Sequence, residues 1–126
     1  VIESDFTYES GYRIGERFLQ IKPLPTAILG SNDVTAIGCL TFMNSHGIRV
    51  PDEVSIAGFD DIAATQYTNP PLTTVHVPMR EMGAVGMKQL LRLIETQELV
   101  EPLYILPHNL VIRASCAAPY DSGASI

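Results

Sequence analysis

The chain has 126 residues, 46% of them apolar, with 8 basic and 14 acidic side chains and a net charge of −6. That length supports one compact domain with a real core, and no run of about 18 apolar residues marks a membrane helix. An acidic stretch without a Lys/Arg cluster is poorly suited to gripping phosphate backbones, which argues against direct contact with nucleic acid.

The sequence opens on Val1 rather than Met and shows no basic-then-apolar leader pattern. Cys39 and Cys116 are too few for a disulfide framework, and Cys39 falls in an apolar helical stretch as a small core residue. A reducing cytoplasm is therefore expected. His46, His76 and His108 have no metal-ligand spacing, so neither metal nor cofactor is expected.

In chain order, Val1-Ile2-Glu3 reads as the end of a strand. Thr7 is a plausible N-cap for a helix over about Glu9–Gln20. Gly11, Ile14, Gly15 and Phe18 share one face of it. Lys22-Pro23-Leu24-Pro25 stops that helix. Thr26–Gly30 is a short apolar run of the kind that forms a buried strand. Ser31-Asn32-Asp33 starts a second helix running to about His46, with Ala36, Ile37, Leu40 and Met43 as its stripe and Gly47 at its end. Val50–Glu53 is a turn, and Val54–Phe59 is a strand ending in Asp60-Asp61.

A loop follows, closing on Pro70-Pro71 before a strand at Leu72–Val77. Pro78 suits the first turn of a helix extending to about Thr96. Met79, Met82, Gly83, Gly86, Leu90 and Leu93 form its stripe, the glycines allowing close packing. Leu103–Leu106 and Leu110–Arg113 read as a last pair of strands, and residues from about 120 as a polar, mobile tail. Alternating strands and helices with short loops imply parallel strands and right-handed crossovers. The expected class is α/β, a parallel sheet with flanking helices.

Open parallel sheets bind ligands outside the carboxyl ends of their strands. Those ends deliver Asp5-Phe6-Thr7, Ser31-Asn32-Asp33 and Asp60-Asp61. An aromatic face, an amide and a carboxylate together suit a polyhydroxylated or planar small molecule. Each has a plainer alternative: core packing for Phe6, helix capping for Asn32 and Asp33, turn formation for Asp60. Catalysis is not expected. Ser31 lacks the G-x-S-x-G surroundings of a nucleophile elbow. Ser31, Asp60 and His76 carry no other geometric motif, and there is no phosphate-cradling glycine loop.

Pro25–Asp33, then His46-Gly47-Ile48-Arg49-Val50-Pro51-Asp52-Glu53-Val54-Ser55-Ile56-Ala57-Gly58-Phe59-Asp60-Asp61, then Pro70–Val75 and Leu110–Ser115 occur in order. Together they resemble the LacI/GalR family of transcription regulators over about residues 1–119. The resemblance implies a two-lobed core like type I periplasmic binding proteins, with a small-molecule effector, a sugar, in the cleft. It assigns residues 1–77 to the C-terminal lobe, 78–106 to the N-terminal lobe, 107–119 to the return, and 120–126 to a flexible tail. It implies that Phe6 stacks on the effector, that Asn32 and Asp60 hydrogen-bond it, and that Thr7 adjoins it. It implies a homodimer, with Ile37, Tyr67 and Thr68 as interface candidates. Operator DNA, in a repressor, is bound by an N-terminal headpiece that this stretch does not contain. With little of the first lobe present, the chain by itself is expected to bind effector weakly or not at all. The apolar stripe from Met79 is expected to drive self-association. Two alternatives remain open: a fragment of a periplasmic sugar receptor and, remotely, an enzyme fragment.

Overall fold

The computed structural model describes residues 1–97 and 103–119. The polar tail expected from residue 120 lies outside the described residues. Contacts divide the chain into two units, one formed by Val1–His76 with the segment from Leu110, the other by Val77–Asn109.

In the first unit, α1 (Tyr8–Gln20) begins where the Thr7 hydroxyl accepts the N–H of Ser10 at 3.1 Å. It buries Ser10, Gly11, Ile14 and Gly15. Strand β1 (Ala27–Leu29) leads into α2 (Asp33–Ser45), capped by the Asn32 side chain on the N–H of Thr35 at 2.9 Å. Because α2 packs on α1 and the sheet, it is apolar on more than one side, with Ala36, Cys39, Leu40, Phe42 and Met43 all buried. Gly47, at φ 75°, ends it in the left-handed conformation that glycine tolerates best.

Strand β2 (Ser55–Ala57) pairs in parallel with β1, Ile28 opposite Ile56. A 3₁₀ turn (Ala63–Gln66) precedes β3 (Thr74–His76), which pairs with β4 (Asn109–Val111). Parallel bridges from Ala57 to Thr73 and from Asp60 to His76 join β3 to β2. So β2 is central: Ser55 donates to Thr26 on one side, and Ile56 and Gly58 donate to Ser115 and Thr73 on the other. Ile56, Leu72, Leu40 and Met43 are fully buried around it.

Two expected strands are not formed. Val1–Glu3 and Leu103–Leu106 have no ladder partner among the described residues, and without one an extended run is not a strand. Val1 and Ile2 instead line, with Ile28, Leu29 and Phe59, an open groove of about 360 Å³. In the second unit, α3 (Met79–Thr96) starts one residue later than expected. Pro78 is its cap, with ψ 66°, because Met79 donates to Val77 rather than joining a continuous ladder. None of its residues is buried, and Met82, Met87, Leu90, Leu91 and Ile94 are all at least half exposed. A methyl added to Gly83 or Gly86 would meet nothing within 4 Å, so the expected close packing is absent there among the described residues.

The approach of α1 to α2 is set by glycine. A methyl on Gly11 would strike the Thr35 carbonyl, and one on Gly38 would strike the Tyr8 carbonyl. Backbone cannot yield as a side-chain tip can. Gly38→Ala should therefore cost at least about 2 kcal/mol in urea denaturation, whereas Gly83→Ala should change stability by no more than about 1 kcal/mol, in the stabilising direction. Equal effects at the two positions would contradict this packing.

Candidate functional site

The carboxyl ends of β1 and β2 are tied together through Asp33, in the first turn of α2. Its N–H donates to the Phe59 carbonyl at 2.8 Å. Its carboxylate, fully buried, accepts from the Thr74 hydroxyl at 2.6 Å and from the Ile62 N–H at 2.9 Å. A buried carboxylate persists where it is hydrogen-bonded, and a helix N-terminus favours its charge.

Around this frame the residues expected at the site divide. Asn32 and Phe6 are brought together: the Asn32 amide donates to the Phe6 carbonyl at 3.2 Å while its oxygen caps α2. One amide hydrogen and one lone pair remain to it. Phe6 is 60% exposed at φ 65°, so core packing does not explain its ring. Thr7 is occupied locally, its hydroxyl donating to Asp5 at 2.6 Å and accepting from Ser10. Asp60 follows Phe59 and is half-buried, and among the described residues its carboxylate accepts no hydrogen bond. Burial, and secondarily the Asp33 charge, raise its carboxyl above the ordinary value. An aromatic face, a half-satisfied amide and an open carboxylate thus border one strand-end edge.

Sequence reasoning missed the groups behind this edge. Arg113 donates to Asp61 Oδ1 at 2.7 Å and also to the Thr65 hydroxyl and the Leu72 carbonyl. His76 Nδ1 lies 3.0 Å from Asp61 Oδ2. The Arg113 hydrogen bond, opposed by partial burial and aided by His76, holds Asp61 below the ordinary carboxylate value. The sign follows: Asp61 contributes stability above the usual carboxylate range and loses it as pH falls through its lowered value. Asp60, raised, works against folding as pH climbs past its unfolded value. A lone arginine in the apolar run Leu110–Ala114 was the available signal.

Of the interface candidates, Tyr67 is 86% exposed. Ile37 packs partly on the core, and the Thr68 hydroxyl donates within its own turn to Thr65 and Pro70. An open hollow of about 680 Å³ lies at the opposite end of the sheet, by Thr26, Arg49 and Glu53, where Arg49 is already paired with Glu53 at 3.0 Å. Burial pushes the Cys39 thiol up to about 12, which leaves it inert. No group of three or more His, Cys, Asp or Glu among the described residues could hold a metal ion. No helix there is long and apolar enough to cross a membrane.

Residues 1–116 match the family model described as a periplasmic binding protein-like domain. The chain belongs to the periplasmic-binding-protein-like domain family. A curated relative is the HTH-type transcriptional repressor CytR of Escherichia coli K12, 36% identical over 94% of this chain and 35% of that protein. Similar solved structures include the lac repressor dimer bound to operator and the anti-inducer ONPF, 33% identical with a TM-score of 0.85 over 92% of this chain and 40% of that one. A LacI family transcriptional regulator from Enterococcus faecium with bound ribose is 31% identical, with a TM-score of 0.80, over 92% of this chain and 42% of that one. The chain spans about a third of the length of the curated relatives it matches.

Two substitutions probe this periplasmic-binding-protein-like edge. Asp33→Ala strands the Thr74 hydroxyl and the Ile62 N–H and should cost about 3 kcal/mol in thermal or urea unfolding. A loss under about 1 kcal/mol would show that Asp33 does not organise the edge. Asp60, at φ 114°, occupies backbone that suits glycine. Asp60→Gly should raise stability by about 1 kcal/mol, relieving strain and the neighbouring charge. A lowered melting temperature would contradict that strain.

Proposed function

We propose that this chain is the effector-sensing portion of a DNA-binding transcription regulator, a repressor, whose small-molecule effector is a sugar. The observation that carries the proposal is the pairing of Asn32 with Phe6 beside the unpartnered Asp60 carboxylate, at the strand ends where α/β sheets bind ligands. The exposed Phe6 ring offers an apolar face to a sugar. Asn32 and Asp60 offer a donor and acceptors to its hydroxyls. The repressor CytR and the ribose-holding Enterococcus faecium regulator support this assignment over a transport receptor or an enzyme.

In this proposal, residues 1–77 belong to the C-terminal lobe, 78–106 to the N-terminal lobe, and 107–119 to the return. The contact boundaries at His76 and Leu110 support that division. The regulator works in the cytoplasm as a homodimer, with Ile37, Tyr67 and Thr68 at its interface. The exposure of Tyr67 supports that residue most. Operator DNA is held by a headpiece in the same polypeptide, outside this chain, in keeping with the chain's negative charge.

Operator gel shifts with the parent polypeptide, run across pentoses, hexoses and nucleosides, test the proposal. One class should change operator affinity. Phe6→Ala and Asp60→Asn should each raise the half-effective concentration by about 10-fold or more. No response to any compound, or variants that respond like the wild type, would reject it.

A further inference from the structure

Asp60 and Asp61 are consecutive non-glycine residues in left-handed backbone, at φ 114° and 57°. Side-chain-bearing residues persist there only when their surroundings over-determine the conformation. The Asp60 carboxylate accepts no hydrogen bond among the described residues, so its own side chain does not supply the constraint. The residue after it is held on every polar atom but its carbonyl. Asp61 Oδ1 accepts from Arg113 Nη2 at 2.7 Å, Oδ2 is hydrogen-bonded to His76 Nδ1 at 3.0 Å, and its N–H donates to the Thr74 hydroxyl at 3.3 Å. Arg113 is itself fixed by Thr65 and Leu72, and the side chains of the Arg113–Asp61 pair are only 15% and 17% exposed. A pair so shielded and so multiply hydrogen-bonded holds geometry better than a surface ion pair does.

We propose that Asp61 is the positioning residue for Asp60: Arg113 and His76 grip its two carboxylate oxygens and so lock Asp60 in the left-handed conformation its ligand contact needs. The proposal rests on Asp60 being a ligand contact, as argued above. Asp61 itself touches no ligand. Its effect passes through the peptide bond it shares with Asp60, while the Asp60 N–H is fixed to the Val75 carbonyl at 2.9 Å. Three separated parts of the sequence converge on this grip: the loop after β2, the end of β3 and the residue two beyond β4. Their convergence sets the shape of the ligand edge from behind.

The test has two arms. NMR on the labelled chain reads the φ of Asp60 from its HN–Hα and one-bond Cα–Hα couplings. The wild type should report a positive φ. Asp61→Asn and the milder His76→Ala should shift the Asp60 couplings towards averaged values, while the amides of Ile56 and Leu72 keep their positions. Unchanged Asp60 couplings in His76→Ala and in any folded Asp61 variant would overturn the proposal. The second arm measures D-ribose affinity of the parent polypeptide by calorimetry. Asp61→Asn should weaken it about 10-fold in the wild type and less than about 2-fold in an Asp60→Gly background, because the effect runs through the missing carboxylate. Equal losses in both backgrounds would mean a merely structural role and would overturn the proposal. No ribose binding by the wild type would exclude ribose as the effector, and the Asp60 couplings would then decide the positioning role by themselves.

Discussion

A single buried carboxylate joins three separated parts of this fold. Asp33 has no exposed surface, yet it meets Thr74 on β3, Ile62 in the loop after β2, and through its N–H the Phe59 carbonyl. Removing that charge from water is costly, and the site tolerates it only because both oxygens accept hydrogen bonds at a helix N-terminus. The geometry leaves so little room that a methyl on Gly58 would collide with Asp33 Oδ1. The ends of β1 and β2 and the starts of β3 and α2 are thereby fixed against each other, and the groups along this edge inherit their positions.

What that edge offers is a set of groups left partly unsatisfied. Asn32 spends half its hydrogen-bonding capacity on capping α2 and holding Phe6, and keeps the rest. Asp60 keeps a carboxylate that burial and the Asp33 charge push towards protonation. Backbone strain and an unpaired acid are both costs to stability, and they are concentrated at one place. Such a concentration supports the binding role proposed for this edge.

Much of the frame was legible in local sequence. Thr7 and Asn32 sit where helix caps must sit, Gly47 where a helix must end, and the apolar spacing of α1 and α2 gave their buried faces. The strands that formed were read a residue or more too long or out of place, because a ladder depends on partners and not on β-branched content alone. Val1–Glu3 and Leu103–Leu106 failed for that reason. Asn32 and Asp60 follow from the order of elements, just past β1 and β2, whereas Phe6 was expected there from a strand at Val1–Glu3 that does not form and is held at the edge by its carbonyl on the Asn32 amide. The roles of Asp33, Arg113 and His76 were not legible, because their meaning lies in partners far along the chain: Thr74 for Asp33, Asp61 for Arg113 and His76. Capping chemistry explained Asp33 well enough locally to hide its larger role.

The most direct measurement is a crystal structure of the parent polypeptide with the small molecule that alters its operator binding. That molecule should lie against the Phe6 ring, with Asn32 and Asp60 both within hydrogen-bond distance of it and Asp61 still held by Arg113. A ligand seated elsewhere, such as the hollow beside Arg49 and Glu53 at the other end of the sheet, would contradict it.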